Sequence, residues 1–194
     1  MTLDLSQCDD RELTSLAVGG HPSAFRELMG RYKGPVFRLI RSNVGDPEEA
    51  LDILQECFVS AFTNIGKYDP ERPFRVWIAR IALNKCRDWA RRRAVRSFFS
   101  LARPIAADED FESDVPSPER EAQGRAELAE VERAIAGLPL PLREVLTLRT
   151  IEELSQVETA AILGISEKAV ETRLYRARTQ LKAKMEGALE SGIA

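Results

Sequence analysis

Few conformations are open to the stretch Gln156–Tyr175, QVETAAILGISEKAVETRLY. Apolar residues recur at helical spacing on either side of Gly164, which predicts two short amphipathic helices joined by a tight turn. A helix that stops and re-aims within about three residues needs left-handed backbone angles at its pivot, and glycine adopts them without steric cost. Ser166 then supplies the N-cap of the second helix, although Ala169 stands where a full capping box would place Glu or Gln. Ala160 is small where the two helices come closest, and Leu163 and Ile165 fill the angle between them. The pattern is a helix-turn-helix.

Rotation by about 100° per residue puts Val170, Leu174, Ala177 and Leu181 on the inner stripe of the second helix. The opposite face carries Lys168, Thr172, Tyr175, Arg176 and Thr179, with Glu171, Arg173 and Arg178 on the flanks. From Glu167 to Lys184 six Lys or Arg stand against two Glu, so this helix is basic within a chain of formal charge −3. A basic helix whose side chains hydrogen-bond to bases and phosphates suits a major groove. A solvated cationic face on a helical hairpin is the alternative.

The small net charge conceals segregation. Residues 71–98 hold nine Arg or Lys and two acids, whereas residues 108–121 hold seven acids and one Arg. Local fields therefore decide the partners. The first residues, MTLDLSQCDDREL, have neither a cationic leader nor an apolar core, and no run reaches the roughly 18–20 apolar residues that span a bilayer, so a cytoplasmic location is expected. Cys8, Cys57 and Cys86 are scattered without CxxC spacing and read as reduced thiols, two of them at core positions. His21 is the lone histidine, so no zinc site of ordinary spacing can be assembled, and neither metal nor cofactor is expected.

A short helix is expected near Asp9–Val18, then a longer helical pattern from Ala24 to Ile40 that Gly34-Pro35 should kink or split. The next helix starts with Asp46 as cap and Pro47 in its first turn. It turns Ile53, Leu54, Cys57, Phe58, Ala61, Phe62 and Ile65 inward and Glu48, Glu49, Asp52, Gln55 and Glu56 outward. Such an acidic face serves solvation or docks a basic partner. Asp69-Pro70-Glu71-Arg72-Pro73 reads as a loop. The helix after it sets Trp77, Ile78, Ile81 and Leu83 among Arg75, Arg80, Lys85, Arg87 and the run Arg91-Arg92-Arg93. Aromatic rings among arginines at the mouth of a loop suit single-stranded nucleic acid, because unstacked bases need a flat surface and the backbone needs positive charge. Trp89 is read as a core residue; composition leaves Trp77 open between core and base stacking.

From Ala94 to Glu121 periodicity is lost, and Pro104, Pro116 and Pro118 gather with most of the acids in a stretch read as a linker. Helical pattern resumes near Ala122, Pro139 and Pro141 mark a turn, and no strand-like alternation or internal repeat occurs. The expected fold is all-α: two small helical domains at residues 9–96 and 122–187, joined by an acidic flexible linker at 97–121. No Gly-rich phosphate loop and no nucleophile–base pair appears, so the chain is not expected to be an enzyme.

Taken together, DILQECFVSAF at 52–62, DPERPFRVWIARIALNKCRDWARRR at 69–93, LPLPLREVLTLR at 138–149 and LSQVETAAILGISEKAVETRLYRARTQLK at 154–182 resemble the sigma-70 family, in its small two-domain extracytoplasmic-function group. The match spans about residues 24–93 and 125–183. The resemblance implies a promoter-specificity factor whose first domain docks on the β′ clamp helices of core RNA polymerase through Asp52, Leu54, Gln55, Glu56, Phe58 and Val59. It implies that Tyr68, Asp69, Phe74, Trp77, Arg80, Asn84 and Arg87 recognise and melt the minus-10 element and hold a flipped base. An amide such as that of Asn84 can both donate to and accept from a base edge. The second domain, beside the β flap, would read the minus-35 element of promoter DNA with Lys168, Thr172, Arg173, Tyr175, Arg176 and Thr179. Control by an anti-sigma protein and a small stress-responsive regulon are further implications.

The chain departs from the family pattern at three places. Glu171 stands where a basic residue is frequent, which fits a cytosine donor better than a purine-rich site. Thr159 replaces a branched aliphatic residue and weakens the packing of the first helix, and Lys168 replaces a common glycine and adds a phosphate contact.

Overall fold

A computed structural model describes residues 4–100 and 130–191, apart from the side chains of 97–100 and 187–191. The acidic linker expected at 97–121 lies outside the described residues except for its first four, which continue a helix. Among the described residues the secondary structure is helical throughout, with no strand. In the N-terminal half the helices are α1 (Asp10–Val18), α2 (Pro22–Val44), α3 (Pro47–Asn64) and α4 (Phe74–Ser100). The C-terminal half holds α5 (residues 130–136), α6 (Leu140–Leu146), α7 (Gln156–Leu163) and α8 (Glu167–Ser191).

Side-chain caps set several helix starts. Asp9 accepts from the Glu12 amide while Glu12 reaches back to the Asp9 amide, so α1 opens with a capping box. Asp46 accepts from the Glu48 and Glu49 amides, and Pro47 occupies the first turn of α3. Gly45, at φ 85°, ends α2 in the left-handed region and lets α3 fold back against it.

Two expectations change. Pro35 lies inside α2, which runs unbroken through it. A proline in a helix interior costs about 3 kcal/mol, and the buried residues on both sides, Phe25 and Leu28 before it and Val36, Leu39 and Ile40 after it, hold the helix against that cost. Similarly, α4 runs on to Ser100, past the point where the apolar pattern is lost at Ala94. A charged surface helix needs no apolar stripe beyond the part that is packed.

The main core lies where α1 to α4 meet, around Leu28, Ile40, Ile53, Cys57, Ile78 and Leu83. Cys57 and Cys86 are buried free thiols within it, and burial pushes both up to about 12. Trp89 is buried as expected, its indole N–H donating to Glu49 Oε2 at 2.8 Å. Leu148, Leu154 and Ile162 from the C-terminal half join the same core, so the two halves pack against each other.

Thr159 on α7 is fully buried and its Oγ1 has no hydrogen-bond partner among the described residues. An unpaired buried hydroxyl costs about 1–3 kcal/mol. Thr159→Val is therefore expected to stabilise the chain by about 1 kcal/mol, read as a higher urea midpoint at unchanged m-value.

Candidate nucleic-acid interface

The helix-turn-helix forms as its residues dictate. Ser155 and Glu158 make a capping box at the start of α7. Gly164 takes φ 67°, ψ 37°, and the amides of Gly164 and Ile165 both donate to the Ala160 carbonyl, at 2.9 and 3.2 Å. Ser166 Oγ accepts from the Ala169 amide at 3.2 Å, which starts α8 without a full capping box. Val145, Ala160 and Val170 close the angle between the helices, with Leu163, Ile165 and Leu174 around them.

On α8, Lys168, Thr172, Tyr175, Arg176 and Thr179 are exposed and share the outward face, Tyr175 with 73% of its surface open; Arg173 is half-buried at the edge. The Thr172 and Thr179 hydroxyls donate to the carbonyls of Lys168 and Tyr175 at 2.9 and 3.1 Å, which turns their acceptor lone pairs outward. Lys168 pairs with Glu171 at 2.8 Å, and this hydrogen bond raises the lysine above its ordinary pKa. Lys168 thus has an anionic partner on its own helix, in a pair exposed on both sides.

The second group gathers where the 68–73 loop enters α4. Asp69 Oδ1 accepts from the Glu71 amide at 3.1 Å and its carboxylate pairs with Arg72 at 3.3 Å, so its observed work is to shape the loop. Tyr68 and Phe74 are 7% and 1% exposed. With Tyr32 and Trp77 they form an aromatic cluster with ring centroids 5.1–5.8 Å apart, and the Tyr68 hydroxyl donates to the Arg72 carbonyl. Base contact through Tyr68 or Phe74 is thereby corrected: both rings are spent on the core, and burial raises the Tyr68 hydroxyl above its ordinary pKa. Trp77 is half-buried, with Phe74 behind it and a cleft of about 360 Å3 in front, walled by Arg72, Val76, Arg80, Val157 and Ala161. Trp77, Arg80, Asn84 and Arg87 follow at spacings of three and four and lie along one face of α4. Arg80 and Asn84 are exposed, and Arg87 Nη1 donates to Asn84 Oδ1 at 3.2 Å.

On α3, Asp52, Gln55, Glu56 and Val59 are exposed, but Leu54 and Phe58 are 4% and 7% exposed. These two pack into the bundle and cannot be outward docking contacts, because α3 is amphipathic and both fall on its inner stripe. Glu56 is tied to α4 through Lys85 at 3.4 Å and Arg92 at 3.8 Å. Missing from the sequence reading were Met29, Leu51 and Phe62, which are exposed apolar residues; Phe62 was assigned to the inside. With Pro22, Phe25, Arg26, Phe58 and Val59, Met29 and Phe62 line a groove of about 310 Å3. The spacing of Leu51, Gln55, Val59 and Phe62 was the available signal, since it is one helix face carrying three apolar residues.

Also missed were the carboxylates that meet the basic face of α4. Arg87 Nε and Nη2 donate to the two oxygens of Glu144 on α6 at 2.6 and 2.9 Å, and Glu144 is 4% exposed. Arg75 Nε donates to Glu158 Oε1 at 2.9 Å. Burial alone would raise the Glu158 carboxyl, but the hydrogen bonds from Arg75 and Ser155 outweigh it and hold Glu158 below the ordinary carboxylate value. The motif S-x-x-E at Ser155–Glu158 signals the cap, though not the arginine.

A helix-turn-helix with an open basic face, beside a helical bundle that lines up aromatic, amide and guanidinium groups, defines a DNA-binding transcription protein built from two helical units. The chain belongs to the sigma-70 family of RNA polymerase sigma factors. Residues 28–96 match the model of sigma-70 region 2, and residues 128–181 match that of sigma-70, region 4. The chain is similar to the RNA polymerase sigma factor CnrH of Cupriavidus metallidurans, with 41% identity over 178 residues that cover 90% of this chain and 93% of that protein. It is also similar to the ECF RNA polymerase sigma factor SigW of Bacillus subtilis, at 32% identity over 86% of this chain and 91% of that one. Among solved structures, CnrH in complex with the cytosolic domain of CnrY superposes with a TM-score of 0.70 at 34% identity, covering 92% of this chain and 97% of that chain. The sigma factor RpoE of Bartonella quintana, solved with the anti-sigma factor NepR, shares the fold with a TM-score of 0.67 at 18% identity over 84% of this chain and 96% of that one.

Proposed function

We propose that this sigma factor acts by non-covalent division of labour: α3 docks on the β′ clamp helices, α4 captures melted minus-10 bases, and α8, set beside the β flap, reads the minus-35 duplex. The observation that carries the reading is the single stripe Trp77–Arg80–Asn84–Arg87 on α4, which aligns a stacking ring, an amide and two cations along one path. On α3 the contacts are Asp52, Gln55 and Val59, all exposed, with Leu54 and Phe58 supporting them from within. The chain supplies no chemistry of its own and works with polymerase in the cytoplasm; among the described residues no helix is long and apolar enough to cross a membrane.

Control by an anti-sigma protein fits the same surface. The groove between Met29 and Phe62 is apolar and open, and the relative CnrH has been solved with the cytosolic domain of CnrY.

Arg176, exposed at the centre of the α8 face, tests the minus-35 assignment. Arg176→Ala is expected to lose about 1–3 kcal/mol of discrimination between the cognate and mismatched sites, measured as transcription or binding on promoter variants. Equal weakening on every sequence would reduce Arg176 to a phosphate contact.

A further inference from the structure

Two side chains in the first turn of α8 form a unit. Lys168 Nζ donates to Glu171 Oε2 at 2.8 Å, and the two side chains are 82% and 61% exposed. A pair so open to water adds little to folding stability, and its remaining donors and acceptors are free to meet a ligand. The backbone beneath it is fixed. Ser166 Oγ accepts from the Ala169 amide, Gln156 Nε2 donates to the Glu167 carbonyl at 3.2 Å, the Thr172 hydroxyl donates to the Lys168 carbonyl at 2.9 Å, and Val170 is fully buried. The turn therefore presents a cationic donor and an anionic acceptor side by side.

The chemistry of the pair selects its target. A phosphate gains little from it, because the carboxylate repels what the ammonium attracts. Base edges in a major groove suit it better. Guanine offers acceptors at O6 and N7, and cytosine offers the N4 amino donor. In a G·C pair O6 and N4 are joined by the pair's own N–H···O bond and so stand about 2.9 Å apart, matching the 2.8 Å from Nζ to Oε2. An A·T pair also sets a donor beside an acceptor, but there the adenine N7 acceptor adjoins the amino group and opposes the carboxylate, and the thymine methyl stands beside O4.

We infer that Lys168 and Glu171 together read one G·C pair of the minus-35 duplex, Lys168 donating to guanine O6 and N7 and Glu171 accepting from cytosine N4. This rests on the reading of α8 as the minus-35 reader. Glu171 precedes Arg176 by more than one helical turn, so the two meet different base pairs.

The test uses holoenzyme reconstituted from core polymerase and the full chain. It transcribes a barcoded duplex library in which the upstream element, located by start-site mapping, is randomised, and transcript per template is read for every base pair. At one position the parent is expected to favour G·C, in one orientation, over the other three pairs by roughly five- to a hundredfold. Glu171→Ala and Lys168→Ala should each flatten that same position and leave the others as they were. Glu186→Ala, which breaks the exposed Lys182–Glu186 pair farther along α8, should alter none. A parent that reads other positions but shows no such G·C preference overturns the inference. So do variants that flatten different positions, leave the preference intact, or change output equally on every sequence, since the last makes Lys168 a phosphate contact and Glu171 its neutraliser. A parent indifferent at every position of the element, with Arg176→Ala no different, overturns instead the reading of α8 on which the inference depends.

Discussion

Phe74→Ala is expected to cost about 3–5 kcal/mol of folding stability, the range for truncating a fully buried aromatic residue. Phe74 is 1% exposed, and its ring meets Tyr32 at 5.1 Å, Trp77 at 5.6 Å and Tyr68 at 5.8 Å. Edge-to-face and tilted pairs at these separations add about 0.5–1.5 kcal/mol beyond the burial itself. Removing the ring leaves three aromatic side chains facing a void and loosens the first turn of α4. Since a domain's whole stability is about 5–15 kcal/mol, the loss is a large share of it. For a chain of this length each kcal/mol shifts Tm by about 2–4 °C, so thermal unfolding should fall by roughly 6–20 °C. Phe74→Leu should recover a good part of it. A variant that melts at the parental temperature yet fails to open promoters would return Phe74 to direct base contact.

Trp77→Ala is expected to behave in the opposite way. Its ring is half-buried at the rim of the same cluster, with one side on Phe74 and the other on the open cleft, so stability falls less than for Phe74. Loss of stacking on a captured base removes about 1–3 kcal/mol per base. Docking on core polymerase, which we assign to α3, should be unchanged. Open-complex formation should therefore fail on duplex promoter and recover on a template melted in advance. A variant still defective on the pre-melted template would place Trp77 among structural residues. Asn84→Ala should follow Trp77→Ala, because both lie on the same stripe while Asn84 is exposed and contributes little to packing.

The contrast between these two aromatic residues marks how far the sequence could be read. Gly164, Ser166 and the Val170–Leu174–Ala177 stripe carried their local geometry in residue type and spacing, and the turn formed as those dictate. Phe74 and Tyr68 sit beside arginines and prolines in a loop, and nothing local distinguishes a ring aimed at a base from one aimed at the core. That choice is made by Tyr32 on α2, about forty residues away, through tertiary contact. Leu54 and Phe58 show the same limit from the other side: their periodicity put them inward, and only the family resemblance put them among docking residues. Pro35 was expected to kink or split the helix because the cost of an interior proline is local, whereas the burial that offsets it and keeps α2 from splitting is spread over α1, α3 and α4. Glu144 and Glu158 escaped notice because their partners lie 57 and 83 residues away.

Mapping transcription start sites with purified core polymerase, with and without the purified chain and with no other factor present, tests the central claim most directly. The account predicts that the chain confers discrete starts downstream of a shared pair of elements, and that Arg176→Ala and Trp77→Ala lose them by separate routes, one by promoter choice and the other by strand opening. Starts no different from those of core polymerase alone, with the chain folded and free of any inhibitor, would contradict it.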